Sequence, residues 1–185
     1  MNIEIISGSP KTDSLSNRVA IFLQKYLSET THHMVNIIDV RDWNLPLLQQ
    51  VFHNEDKTPE AFKPLAKRMF AADAFILVSP EYNGSYSPAL QNLLDHFPKQ
   101  THKPFGIVTA SAGAMGGMRS TQQLLLLVPA LFGIASPHML VTPMVQDKFD
   151  AEGNLTDPSF QKNIDNFVRE FLWLAEALRP EMATV

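Results

Sequence analysis

The sequence predicts an α/β fold in which a doubly wound parallel sheet of five strands carries helices on both faces, and three observations support that class. Short apolar runs alternate along the chain with segments whose apolar residues recur at helical spacing. One run, residues 73–79 (DAFILVS), is almost continuously apolar, as a central parallel strand covered on both faces has to be. Five of the eight glycines (Gly8, Gly84, Gly113, Gly116 and Gly117) fall in loops that follow three of the runs, so sharp turns or close approaches are concentrated at one edge of the sheet.

Asn2 to Ser7 (NIEIIS) reads as the first strand, and Val19, Phe22, Leu23, Tyr26 and Leu27 then recur at helical spacing behind a Ser/Asp start. Residues 34–40 (MVNIIDV) read as the second strand, and the turn-rich RDWNLPLLQQVFHNEDKTPE after it as irregular. Residues 59–72 read as a helix with Phe62, Leu65, Ala66 and Met69 on one face, ahead of the third strand at 73–79. A helix at 88–97, a fourth strand at 105–111 (FGIVTAS), a helix at 119–132 and a short fifth strand at 138–141 follow. Asp157 before Pro158 is an N-cap and first-turn signature, and Phe160, Ile164, Phe167, Phe171, Leu174 and Leu178 build the apolar face of a last helix.

The 185 residues show no linker, repeat or low-complexity tract, which predicts one domain over 1–185. A formal net charge of −4 without a Lys/Arg cluster argues against nucleic acid as a partner. The absence of Cys excludes disulfides, thiolate metal sites and cysteine nucleophiles. No apolar run approaches the ~20 residues of a membrane span and no signal-peptide pattern opens the chain, so no membrane association and a cytoplasmic location are expected. The six histidines show no HExxH spacing, no GxSxG is present, and DKFDAEGNLTD lacks the alternation of a calcium loop, so neither a metal site nor a serine hydrolase is expected.

In doubly wound folds ligands bind beyond the carboxyl ends of the strands, which directs attention to the loops after strands one, three and four: GSPKTDSLSN, SPEYNGSYSP and SAGAMGGMRS. In the first, Ser9, Thr12, Ser14 and Ser16 offer hydroxyl donors, Lys11 a cation, and the following helix its unpaired N–H groups, a combination that suits a phosphate. Its spacing fits neither GxxxxGK[ST] nor GxGxxG. The alternative is that Ser14 or Asp13 merely caps a helix. In the second loop, Pro80 and Pro88 bracket Glu81, Tyr82, Asn83, Gly84 and Ser85, a stiff turn suited to the edge of a flat heteroaromatic ring; alternatively Glu81 is a solvated carboxylate and Tyr82 a packing residue. The third loop, with three glycines within five residues, offers open backbone to the ring's rim or is a flexible connection.

Together, GSPKTDS as G-S-x-[RK]-x-x-S, PEYN with SPALQNLLD behind it, and SAGAMGG as S-x-G-x-x-G-G resemble the NADPH-dependent FMN reductase family of flavodoxin-like proteins, which includes azoreductases and quinone or chromate reductases. The resemblance runs from Asn2 to about Leu178. It implies a flavodoxin-like sheet of order 2-1-3-4-5 and FMN as cofactor, with NADPH or NADH as co-substrate. The FMN phosphate would meet Ser9, Lys11, Ser14, Ser16 and Asn17, the isoalloxazine would lie beside Pro80, Glu81, Tyr82, Asn83 and Gly84, and Ser111, Gly113, Gly116 and Gly117 would form its other rim. Lys11 stands where many relatives carry Arg, exchanging a bidentate fork for a point charge, and Ser16-Asn17 where many have Asn then Arg.

The resemblance further implies an NAD(P)H oxidoreductase that passes electrons through FMN to a small acceptor such as a quinone, azo compound, metal oxyanion or flavin by a ping-pong mechanism, with no catalytic side chain required. The alternative is a flavodoxin-like electron carrier or FMN-binding regulatory module without direct NADPH turnover. A homodimer or homotetramer is implied as well, with the helices from Pro88 and Arg119 as candidate contacts. LLLLVPALF in the latter is more apolar than an exposed helix needs, although a helix covering a parallel sheet is apolar in any case.

Overall fold

The computed structural model describes residues 1–182; the last three residues of the expected 1–185 domain lie outside the described residues. Strands β1 (Asn2–Ser7), β2 (Met34–Asp39), β3 (Ala74–Ser79) and β4 (Pro104–Ala110) alternate with helices α1 (Leu15–Thr30), α2 (Lys63–Ala71), α3 (Pro88–Asp95) and α4 (Met118–Ala130). After them come β5 (Ile134–Ala135), β6 (Leu140–Thr142), α5 (Val145–Lys148) and α6 (Gln161–Met182). All strand pairs are parallel and the order is β2-β1-β3-β4-β5, the flavodoxin-like order expected.

The fifth position departs from a single strand. β5 and β6 share it, Ala135 pairing with Phe105 and Leu140 with Val108. Between those pairs β4 advances three residues and the edge chain five, so the edge bulges out through Pro137, which has no N–H to give the ladder. The expected strand at 138–141 overlaps β6 and misses β5, because two residues carry no periodicity. The expected helix at 59–72 is likewise shorter. α2 starts at Lys63, and a proline ring at Pro64 would clash with the Glu60 carbonyl of a longer helix, so Glu60–Phe62 forms a separate single turn.

The strands bury both faces. Ile3, Ile5, Ile76, Val78 and Val108 pack beneath α1 and α6, while Ile6, Ile38, Phe75, Leu77 and Ile107 pack beneath α2, α3 and α4. Gly106 interrupts β4 because a Cβ there would stand 2.9 Å from Phe167 Cζ and 3.1 Å from Phe171 Cδ2; its absence seats the two stacked rings of α6 on the sheet. Full burial of such a side chain contributes about 1.5–3 kcal/mol. Two strand carboxylates are buried as well, each against an arginine: Glu4 accepts on the α2 face from Arg68 Nε and Nη2 at 3.0 and 2.5 Å, and Asp39, at the end of β2, accepts from Arg41. This doubly covered sheet fixes the carboxyl ends of β1, β3 and β4 side by side, and the three Gly-containing loops leave from there. No helix among the described residues is long and apolar enough to cross a membrane.

Candidate cofactor site

The first loop is clamped at both ends. Gly8 donates its N–H to Val78 O at 2.8 Å, and a Cβ on it would press within 3.0 Å of Leu90 Cβ, so glycine is what lets β1 run this close to α3. Its carbonyl accepts from Ser87 Oγ, the hydroxyl that also caps α3 by accepting from Leu90 N. Farther along, Ser14 caps α1 by accepting from Asn17 N at 3.1 Å. From the β2 side, Arg41 donates Nη1–H to Thr12 O at 2.9 Å and is itself gripped by Asp39, through Nε at 2.9 Å and Nη2 at 2.5 Å. These bonds from Asp39 raise the Arg41 pKa, so the staple stays charged.

The second loop is a hairpin. Tyr82 and Ser85 exchange N–H···O bonds of 2.8 and 3.1 Å around Asn83 (φ 52°) and Gly84 (φ 83°), the left-handed pair that a two-residue Asn-Gly turn supplies. Glu81 is not a solvated carboxylate. Its Oε2 accepts from Arg119 N at 3.1 Å and its Oε1 lies 3.8 Å from Arg119 Nη1, so it caps α4, whose own N-cap, Gly117, has no side chain to do so. Lys11 Nζ stands 5.6 Å over the Tyr82 ring, joining the first two loops, while Tyr82 Oη is buried without a hydrogen-bond partner among the described residues.

In the third loop, Gly116 (φ 60°) would put a Cβ 2.7 Å from Pro143 N, and Gly117 (φ 84°) one 2.9 Å from Thr109 Cβ. Both are buried against β4 and β6, which requires glycine whatever lies outside. Gly113 differs: it is exposed, and a Cβ there would meet nothing nearer than Ser111 Oγ at 3.9 Å.

Ser9, Lys11, Ser14, Ser16, Pro80, Glu81, Tyr82 and Ser111 line one cavity of about 200 Å³. Leu15, Ala110 and Ala112, which no motif marks, join them, as does Asp13, which the sequence offered only as a helix cap, a place that Ser14 takes. Asn17 faces a neighbouring hollow and accepts from Ser7 Oγ at 2.8 Å, Asn83 and Gly84 form the hairpin tip, and Gly113, Gly116 and Gly117 stand outside the lining. Arg41, which holds the loop from a turn-rich segment, carries no motif that marks it beforehand.

The donors suit an anion. Ser9 Oγ, 2 % exposed, accepts from Lys11 N at 3.4 Å and keeps its own proton to give. Ser14 and Ser16 Oγ lie 3.2 Å apart; one proton bridges them and the other is free. The first-turn N–H groups of Leu15 and Ser16 have no carbonyl within α1, and the Lys11 ammonium adds charge. A phosphate monoester fits that set. The volume lies below the range that encloses a drug-sized ligand, so phosphate and linker would fill the cavity and an attached ring would lie at its rim, where the Tyr82 hydroxyl lacks a partner. Among the described residues, no three His, Asp or Glu side chains gather as a metal-holding group.

Comparison with known proteins identifies the family. The chain is 30% identical over 177 residues to a probable NADPH:quinone oxidoreductase 2 of Oryza sativa subsp. japonica, covering 91% of this chain and 85% of that one. It is equally identical, over 91% of its own length and 92% of the other, to an FMN-dependent NADPH-azoreductase of Staphylococcus aureus. The fold matches that of FerB, a flavoenzyme NAD(P)H:(acceptor) oxidoreductase from Paracoccus denitrificans, with a TM-score of 0.75 at 22% identity over 95% of this chain and 97% of that one. A flavodoxin mutant from Pseudomonas aeruginosa matches at 0.53 and 20% over 97% of each chain. The profile of NADPH-dependent FMN reductases matches residues 1–146. The chain therefore belongs to the NADPH-dependent FMN reductase family, and is an oxidoreductase that uses FMN and NADPH.

Proposed function

We propose that the cavity at the start of α1 holds the phosphate of FMN, that the hairpin at Tyr82–Ser85 and the third loop at Ser111 and Gly113 border its ring, and that the protein reduces a small acceptor such as a quinone, azo compound, metal oxyanion or flavin. The observation that carries this reading is the convergence of the three loops on one cavity whose serine protons and helix-start amides are left unspent by the fold. Bound FMN supplies the two-electron chemistry, accepting from NADPH or NADH and giving to the acceptor. The chain's residues bind and orient. Ser9, Ser14, Ser16 and Lys11 fix the phosphate, with Asn17 able to add only its Nδ2 because its oxygen is taken by Ser7. Glu81 holds the second loop on the start of α4 and so keeps Tyr82 and the hairpin amides at the rim.

Both substrates would use the same open face in turn, which gives ping-pong kinetics. One domain over residues 1–185, a cytoplasmic location and assembly as a homodimer or homotetramer complete the proposal. Leu126 on α4, 68% exposed between buried Leu124 and Leu127, is the side chain that a second copy would cover. The test is anaerobic addition of NADPH to FMN-loaded protein, followed by visible absorption. Rapid bleaching, reversed by menadione, with parallel double-reciprocal plots supports the proposal. Bound flavin that bleaches only with a partner reductase would make the protein an electron carrier instead.

A further inference from the structure

A larger hollow, about 680 Å³, adjoins the third loop. Ala112 belongs to the cofactor cavity and Ala114 to this hollow, so the same loop borders both. Its walls are Met115, Met118, Val141, Pro143 and Phe160. Met115 is 59% and Met118 43% exposed, so two large apolar side chains face solvent side by side rather than singly. Methionine is the adaptable residue of binding surfaces, because its unbranched, polarisable thioether conforms to flat aromatic faces.

The charges at this site are already satisfied. Asp157 accepts from Ser159 N at 3.0 Å and Ser159 Oγ at 2.6 Å and lies 3.6 Å from Lys148 Nζ, which also stands 5.4 Å over the Phe160 ring. The two opposite charges that line the hollow thus neutralise each other, and among the described residues no unpaired cation lines it to attract a sulfonate or an oxyanion. One polar group is spare: Asn163 is exposed at the edge, and its side-chain amide makes no hydrogen bond among the described residues. It can donate to a carbonyl. The volume falls within the roughly 300–1,000 Å³ of small-molecule sites.

We propose that this hollow is a binding site for uncharged, planar aromatic molecules of naphthoquinone size, held against Met115 and Met118 with a ring carbonyl toward Asn163. As the place where an acceptor waits beside the flavin it rests on the proposed function; as a binding site it stands independently. It makes the protein selective for uncharged aromatic acceptors over sulfonated ones.

The test is a titration of FMN-loaded protein carrying 13C-methyl methionine with menadione, without NADPH. Saturable shifts of the Met115 and Met118 methyls are expected, while the methyl of Met69, buried under the opposite helices, stays in place. 1,2-Naphthoquinone-4-sulfonate is expected to bind at least tenfold more weakly. Met115→Glu, at an exposed position, is expected to weaken menadione binding and raise its KM at least fivefold. Unmoved Met115 and Met118 methyls at saturating menadione, or equal binding of the sulfonated quinone, would overturn the proposal. Turnover without those shifts rejects this site and leaves the proposed function standing; shifts without turnover do the reverse.

Discussion

The first and third loops leave the same edge of the sheet, yet they use their residues in opposite ways. In the first loop the backbone is held from outside, by Arg41 and Ser87, and the serines of the lining keep protons unspent. In the third loop Gly116 and Gly117 are consumed by the fold, pressed against β6 and Thr109, and Gly113 alone is free of such contact. Glycine and serine density therefore marks close approach and hydrogen bonding without saying to what. Whether the partner is the protein or a ligand is decided by which groups the fold leaves unused.

That difference is open to direct attack, most forcefully in the third loop. Gly116→Ala adds a left-handed non-glycine residue and a Cβ 2.7 Å from backbone, and should cost about 2–4 kcal/mol in urea denaturation, with or without FMN. A loss under 1 kcal/mol would mean that the loop is not packed as described. Arg41→Ala comes next. It frees the carbonyls of Thr12 and Lys11 and leaves Asp39 without its partner, so FMN affinity should fall about 10- to 100-fold, since hydrogen bonds to charged groups are each worth about 1.5–3 kcal/mol. Fluorescence titration of FMN reads this; an unchanged Kd would show that the staple does not shape the loop.

Ser9→Ala removes one unspent donor and should weaken FMN about tenfold, the roughly 1.4 kcal/mol of one such bond, while riboflavin binding stays the same. Equal losses for both ligands would place Ser9 away from the phosphate. Glu81→Gln keeps an oxygen for Arg119 N but removes the charge at the start of α4, and should lower thermal stability by about 0.5 kcal/mol. Gly113→Ala has the smallest effect on folding, under about 0.5 kcal/mol, because its Cβ enters open space. Any loss of FMN affinity in that variant reports the ring's approach to the loop, in contrast to Gly116.

The strands were legible because a doubly covered parallel sheet demands continuous apolar runs, as at Ala74–Ser79, and the helices because one face of each is apolar, whereas the strand order followed only from the family resemblance of the three loops. β5 was not legible: two residues have no period, and their partner Pro104–Phe105 lies far back in the chain. At the site, Ser9, Ser14 and Tyr82 could be read from local motifs. The role of Glu81 could not, since its partner, Arg119, is thirty-eight positions away and the pairing depends on the third dimension. Arg41 is hidden for the same reason, acting from the turn after β2 on a loop that follows β1.

The central claim is that the first loop recognises a phosphate, and the most direct measurement compares the dissociation constants of FMN and riboflavin for the apoprotein at one ionic strength. FMN is predicted to bind at least about 100-fold more tightly, as two charge-assisted hydrogen bonds alone would provide, with the advantage shrinking as salt is raised. Equal affinities for the two flavins would contradict the account and leave the cavity at the start of α1 without its ligand.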